Sequence, residues 1–183
     1  KQEKQLGTAH ALLQAKNHIK DEFIVLSGDN IIDRNSIMKL IKDKSEYSIL
    51  IKEHPHPSKY GVVFLEKNYL EDIVEKPKEE QGKFISTGIY KLPKTIFNKI
   101  KEVISEDLYD LTSVIQSVLK QGNKINTIHA DSWMDIIYPW VLINVKAAMI
   151  HKIPKSTGGT IEKGVTIKGA ESIGKNPTIN SGC

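Results

Sequence analysis

With 183 residues, 39% of them hydrophobic and 26% charged, the chain has room for one full domain and part of a second and the composition of a soluble globular protein. The net charge of +4 does not mark a nucleic-acid reader: Arg34 is the only arginine, and the lysines alternate with acids, as in Lys76-Pro-Lys-Glu-Glu, which is how a solvated face reads. The single cysteine, Cys183, excludes an internal disulfide and a cysteine-based zinc site and fits a reducing cytoplasm, while no apolar run approaches the roughly 18 residues of a membrane span, so neither a membrane nor nucleic acid is expected as a partner.

The chain opens directly into a helix signal. Apolar residues at 9, 12, 13 and 19 predict a helix within Leu6 to Ile19, opening after Gly7 with Thr8 as its cap. Phe23 to Ser27 is a continuous apolar run ended by Gly28-Asp29-Asn30, which predicts a buried parallel strand running into a turn. Ser36 to Lys44 follows as a helix capped by Asn35 or Ser36, and Tyr47 to Glu53 as a second buried strand. This alternation is that of a doubly wound α/β sheet.

The pattern then changes to strands without intervening helices: Tyr60 to Leu65, Glu71 to Glu75, and Lys83 to Tyr90, a sheet extension with antiparallel members. Thr95 to Ser105 and Leu111 to Lys120 read as helices, the second stopped by Gly122. Lys124 to His129 is a further strand, and Tyr138 to Lys152 a helix with Pro139 in its first turn. Residues 1–152 therefore form one domain and 153–159 a linker. From 160 to 183, Ile161, Ile167, Ile173 and Ile179 recur at a period of six, which predicts the first hexads of a left-handed parallel β-helix. Such a coil uses three hexads per turn, so four hexads are too few to bury their own isoleucine stack, and association or disorder there is expected.

Several residues could carry chemistry. Asp29 follows a strand, at the edge where open α/β sheets bind ligands; it either faces a divalent cation or completes a turn. Asp135, in Trp133-Met-Asp135, adds a second carboxylate ahead of a helix, and two carboxylates on one sheet edge suit Mg²⁺, which takes one or two carboxylates with waters and substrate phosphates. Glu75-Lys76 sets a hydrogen-bond acceptor beside a point charge able to hold phosphate, or is a solvated strand end. Tyr60-Gly61 and Ser86-Thr87-Gly88 put a glycine in or beside a strand, meaning close approach of a ligand or a bulge. The six histidines show no metal-ligand spacing and are expected on the surface or in the core.

Gln2, Gln5-Leu-Gly-Thr-Ala9, Leu26-Ser-Gly-Asp29-Asn, Tyr60-Gly-Val-Val63, Ile73-Val-Glu-Lys-Pro77, Ser86-Thr-Gly-Ile-Tyr90 and Trp133-Met-Asp135 occur in one order over residues 1 to about 150. This order resembles the sugar-1-phosphate nucleotidylyltransferases, and with the hexads the chain is most similar to the archaeal bifunctional enzymes that add an amino-sugar acetyltransferase. The resemblance implies a Rossmann-like mixed sheet followed by a β-helix, and transfer of a nucleotidyl group from UTP or dTTP to a sugar-1-phosphate. It implies that Gln2 and the Gly7-Thr8 backbone face the pyrimidine and that Asp29 and Asp135 hold Mg²⁺. Gly61 then offers backbone to the sugar with Tyr60 beside it, Glu75 accepts from sugar hydroxyls, Lys76 contacts the sugar phosphate, and Gly88 lies under the substrate. Family members assemble through the β-helix, so a homo-oligomer, a trimer, is implied, as is a cytoplasmic setting.

Two departures accompany the resemblance. Ser86 stands where many uridylyltransferase relatives carry asparagine. The Gly-rich loop that wraps the triphosphate in family members is not found ahead of Gln2, so the chain reads as truncated at both ends and is expected to release little or no pyrophosphate by itself. A non-catalytic regulatory or assembly subunit of the same fold is the alternative. A glycosyltransferase would want an Asp-x-Asp pair, which Asp29-Asn-Ile is not. The four hexads contain no histidine to serve acetyl transfer.

Overall fold

The computed structural model describes residues 1–150, 152–169 and 171–183; His151, within the last expected helix, and Ala170, within the second hexad, lie outside the described residues. The chain divides into two compact units, Lys1–Asp135 and Ile136–Cys183. The boundary expected at 152 thus falls inside the second unit, which includes the helix that begins at Val141.

In the first unit the chain runs α1 (Thr8–Leu13), β1 (Phe23–Val25), β2 (Asn30–Ile32), α2 (Arg34–Lys42), β3 (Tyr47–Glu53), β4 (Gly61–Glu66), β5 (Tyr69–Glu75) and β6 (Phe84–Leu92). It continues through α3 (Ile96–Ser105), α4 (Leu111–Lys120), β7 (Ile125–His129) and β8 (Trp133–Asp135). Six strands form one mixed sheet in the order β1-β6-β3-β7-β5-β4, and β4 also pairs with β6. The pairings of β3, β7, β5, β4 and β6 therefore close into a ring, with β1 attached outside it. Only β3 and β7 run parallel, Tyr47 opposite Ile125 through Ile51 opposite His129.

Successive residues of β3 point to opposite faces, and the core divides accordingly. Ile49 and Ile51 pack with Phe97, Ile100, Val114 and Ile115 under α1, α3 and α4, while Leu50 packs with Leu40 and Ile89 under α2. α3 buries Ile96, Phe97, Ile100 and Val103, one stripe of a 3.6-residue period. Fully burying each such side chain contributes about 1.5–3 kcal/mol, so this helix is held by its packing and not by a cap: Thr95 makes no side-chain cap bond.

Three local expectations are corrected. The run Phe23 to Ser27 does not form a buried parallel strand. β1 ends at Val25 and pairs antiparallel with β6, Phe23 opposite Leu92 and Val25 opposite Tyr90, and its residues are only half-buried because it has no second neighbour in the sheet order. Thr8 does not cap α1: Gly7 holds that position without a side-chain bond, the helix ends at Leu13, and a separate 3₁₀ turn covers Lys16–His18. α2 starts two residues early, at Arg34, because Asp33 is its cap, accepting from the Ser36 backbone N–H at 2.9 Å; neither Asn35 nor Ser36 takes that role.

In the second unit the helix α5 spans Val141–Ile150. Pro139 lies ahead of it, in a turn whose bonds run from Val141 N to Tyr138 O at 3.0 Å and from Leu142 N to Pro139 O at 3.2 Å. Four two-residue strands follow: β9 (Ser156–Thr157), β10 (Thr160–Ile161), β11 (Ser172–Ile173) and β12 (Thr178–Ile179). β10 pairs parallel with β12, Thr160 opposite Thr178 and Ile161 opposite Ile179, partners three hexads apart; β9 pairs parallel with β11. Gly164 and Gly182, also three hexads apart, share a left-handed backbone with φ of 94° and 90°. Ile173 is buried, and Ile167, in the hexad whose described residues form no strand, is exposed. Among the described residues no helix is long and apolar enough to cross a membrane.

Candidate active site

The site begins with an irregularity in β6. Ile49 of β3 faces Tyr90, and Ile51 faces Ser86, so Thr87, Gly88 and Ile89 together oppose the single residue Leu50. The surplus bulges, and Gly88 takes a φ of 73°, which a residue with a Cβ adopts only at a cost. The Thr87 hydroxyl restores part of the ladder by donating to the Leu50 carbonyl at 2.8 Å. On the other side of β6, β1 pairs up to Tyr90 and β4 up to Ile85, so both strands leave β6 at the bulge. The crevice between them is a cleft of about 400 Å³.

This divergence delivers residues from distant segments. The end of β1 continues through Ser27 to Asp29, and β4 starts at Gly61, so both reach the cleft wall. A separate two-stranded ladder supplies the second carboxylate: Asn30, Ile31 and Ile32 of β2 face Asp135, Met134 and Trp133 of β8. Asp29 thus immediately precedes the residue that faces Asp135. Asn30 ties the corner together, donating its amide to Asp29 Oδ1 at 2.9 Å and accepting from the Trp133 indole N–H. The Tyr60 hydroxyl donates to Asp135 Oδ1 at 3.1 Å. Burial, then the Asp135 charge and that hydrogen bond, push the Tyr60 phenol up to about 12, so it stays a donor at any ordinary pH. The Tyr60 ring packs edgewise against Trp133 at 5.6 Å and against His54 at 4.8 Å.

Next to Tyr60 and Gly61 the lining carries Glu75, which pairs with Gly61, and Lys76. Glu75 Oε2 accepts from the Thr112 hydroxyl at 2.8 Å, and Glu75 Oε1 lies 4.0 Å from Lys76 Nζ. Lys76 has a φ of 40°, a left-handed backbone costing about 1–2 kcal/mol in a residue with a Cβ. The geometry is held by Lys76 N–H donating to the Tyr60 carbonyl at 3.1 Å. The floor is polar: Ser86 Oγ lies 3.0 Å from the Tyr90 hydroxyl and accepts from Gly88 N–H at 3.2 Å. Tyr90 is fully enclosed, and burial pushes its phenol up to about 12.

Gly7 and Thr8 complete the lining beside the start of α4. A Cβ on Gly7 would stand 2.4 Å from the Tyr109 carbonyl oxygen, so only glycine permits this approach. Thr8 Oγ1 accepts from Leu111 N–H at 2.9 Å, joining the first helix to the fourth. Gln2 does not line the cleft: its amide reaches the Gly7 carbonyl at 3.4 Å and His10 Nδ1 at 2.7 Å. Asp29, Tyr60, Gly61, Glu75, Lys76, Gly88 and Asp135 all do. Sequence reasoning missed Thr112, Asp110 and Asn30. Asp110 was legible as a helix cap, with Ser113 three residues on, and it accepts from Ser113 N–H at 2.8 Å.

Asp29 and Asp135 present hard carboxylate oxygens to the same cleft, a donor set that fits a divalent cation such as Mg²⁺ completed by water or phosphate oxygens. Among the described residues no cluster of three or more His, Cys, Asp and Glu forms a cage from protein alone, so a cation here would depend on other ligands.

The chain is 36% identical to the bifunctional protein GlmU of Methanococcus maripaludis strain C7, over 97% of its own length and 44% of that protein. It is 30% identical to the UTP–glucose-1-phosphate uridylyltransferase AglF of Haloferax volcanii, over 75% of the chain and 60% of that protein. It spans less than half the length of the GlmU proteins it matches. A Bacillus anthracis protein assigned as a glucose-1-phosphate thymidylyltransferase, solved with a sucrose, superposes with a TM-score of 0.67 at 25% identity, covering 82% of this chain and 63% of that one. The α/β mixed-sheet nucleotidyltransferase fold is thus established. Residues 1–149 match the nucleotidyl transferase family, and the chain belongs to it.

Proposed function

We propose that the cleft binds a pyrimidine nucleoside triphosphate and a sugar-1-phosphate and joins them, with release of pyrophosphate. The observation that carries this is the convergence in one cleft of Asp29, Asp135, Glu75 and Lys76 around a bulge that opens the sheet. In the reaction an oxygen of the sugar phosphate attacks the α-phosphorus, a new P–O bond forms, and the bond to the β-phosphate bridging oxygen breaks. The protein's part is positioning and charge. Lys76 would hold the sugar phosphate as a point charge, and Glu75, already oriented by Thr112, would accept from sugar hydroxyls. Gly61 would offer its backbone, and Gly88 would let the sugar lie against β6. Gly7 and Thr8 would face the base, with Gln2 acting through Gly7. Asp29 and Asp135 would hold Mg²⁺, which when bound neutralises charge on the phosphoryl oxygens.

Glucose-1-phosphate, with UTP or dTTP, is the substrate named for relatives, and N-acetylglucosamine-1-phosphate is the second sugar that the motif resemblance implies. One methyl separates uracil from thymine, and pocket shape decides between them. The nucleotidyl transferase part spans 1 to about 152, in keeping with the family match to 149. Residues 160–183, after a 153–159 linker, are read as the opening of a left-handed β-helix through which copies would assemble as a trimer. Parallel partners three hexads apart support that reading. Acetyl transfer would belong to a longer coil than these hexads, and a cytoplasmic setting suits the free Cys183. Calorimetric titration of UDP-N-acetylglucosamine, UDP-glucose and dTDP-glucose with Mg²⁺ tests the proposal. Saturable binding of one of them, weakened at least tenfold by Glu75→Gln, is expected; no saturable binding of any would overturn it.

A further inference from the structure

The ladder that ends in Asp135 and is entered from Asp29 has only three residue pairs, and a two-stranded piece that short does not hold itself together. Its cleft end holds Asp29 and Asp135. Its other end runs from Ile32 opposite Trp133 into Asp33 and Ser132, where the backbone N–H of Asp33 donates to the Ser132 carbonyl at 3.3 Å. The Asp33 carboxylate uses both oxygens there. Oδ1 accepts from Ser36 N–H at 2.9 Å, and Oδ2 accepts from the Ser36 hydroxyl at 2.6 Å and from Ser132 N–H at 2.9 Å. Ser36, fully buried, accepts in turn from Asp131 N–H at 2.8 Å. One oxygen would suffice for a helix cap. The second clamps the segment leading into β8 onto the segment leading out of β2.

We propose that Asp33 is a positioning residue of the cation site, setting the separation of Asp29 and Asp135 by fixing the far end of the ladder at whose cleft end they lie. This rests on the reading of those two carboxylates as cation ligands. A rigid strand pair transmits a fixed end: with the Ser132 contact made, the ladder has one register and one twist, and the two carboxylates have one spacing. Without it, β8 is free to shift against β2 while α2 keeps its cap and its packing against Leu50. Burial pushes the Asp33 carboxyl up, but the bonds from Ser36 and Ser132 outweigh it and hold the group down at about 2, so the clamp carries full charge wherever an enzyme works.

The test uses Mn²⁺ as the probe and fluorescence as the readout, independent of turnover. The chain has two tryptophans, so a Trp140→Phe background leaves Trp133, within the ladder, as the sole reporter. Asp33→Ser keeps one side-chain oxygen for the cap, and Ser36→Ala keeps the Ser36 N–H bond to Asp33 while removing the hydroxyl that joins Asp33 to Asp131. Both are expected to melt within a few degrees of the parent. Asp33→Ser, and Asp33→Asn, which caps well but turns an amide N–H₂ toward Ser132 N–H, are expected to weaken the apparent Mn²⁺ affinity about tenfold, whereas Ser36→Ala, which keeps the Ser132 bond to Asp33, is expected to stay near the parent value. Parent-like Mn²⁺ affinity in either folded Asp33 variant overturns the proposal, as does a tenfold loss in Ser36→Ala. A parent chain that itself gives no Mn²⁺ response overturns the cation reading and this inference with it, which separates the two failures.

Discussion

Thr112, at the start of α4, donates its hydroxyl to Glu75 at the end of β5, across a wall of the cleft. Thr112 is buried while the Glu75 side chain is 47% exposed, so the bond anchors from the protein side a carboxylate whose other oxygen remains near Lys76. Thr112→Val keeps the shape and removes the donor. A hydrogen bond to a charged group contributes about 1.5–3 kcal/mol, so nucleotide-sugar affinity is expected to fall by roughly tenfold or more, with Mn²⁺ affinity unchanged. Calorimetry reads the first and Trp133 fluorescence the second.

Tyr60→Phe separates two roles for one side chain. The hydroxyl is bonded to Asp135, so its loss is expected to weaken cation binding roughly fivefold while leaving nucleotide-sugar affinity in saturating Mg²⁺ near the parent value. The reverse pattern would make Tyr60 a sugar contact. Because the folded phenol titrates near 12 and the free side chain near 10, its contribution to stability is complete below pH 10 and is lost as pH rises through about 12. The stability difference between the parent and Tyr60→Phe, from urea unfolding, is therefore expected to be flat from pH 7 to 9.

Two glycines are required for different reasons, and alanine distinguishes them. Gly7→Ala drives a methyl into the Tyr109 carbonyl, and such overpacking costs about 1–3 kcal/mol or more, seen as a lowered urea midpoint. Gly88→Ala meets no atom within 4 Å but keeps a positive φ, for about 1–2 kcal/mol. Its added methyl lies on the bulge at the cleft, so sugar binding is expected to weaken beyond what the loss of stability explains.

Acid should reveal the Asp33 clamp. The carboxyl titrates near 2 when folded against 3.8 for the ordinary group, so its stabilisation is fully present above pH 4 and disappears as pH falls through 2. The difference in melting temperature between the parent and Asp33→Ser is expected to hold constant from pH 7 to 5 and to shrink toward zero near pH 2, followed by circular dichroism.

The elements with strong periodicity were legible in the residues: α4 spans the predicted Leu111 to Lys120, and β3 the predicted Tyr47 to Glu53. The direction of β1 was not, because a short apolar run is equally suited to a parallel or an antiparallel neighbour, and only its pairing with β6 decides. The cap at Asp33 was passed over in favour of Asn35 and Ser36, which are equally good cap types two and three residues later. Asp29, Asp135, Glu75 and Lys76 stand out in the sequence because each follows or ends an apolar run, and all four line one cleft. Thr112 was hidden: a threonine inside a helix gives no sign that it faces a carboxylate thirty-seven residues earlier in the chain.

β6 pairs with three strands, β1, β3 and β4, yet its Thr87 to Ile89 stretch has Leu50 alone to face on one side, and β1 and β4 depart on the other. The most enclosed strand is thus also interrupted where substrate would rest. In hydrogen–deuterium exchange, the amides of Ile85 and Lys91 should be among the slowest in the protein and that of Gly88 far faster. Occupation of the cleft would slow the middle of the strand without altering its ends, and local protection at Gly88 would give a residue-level gauge of ligand occupancy.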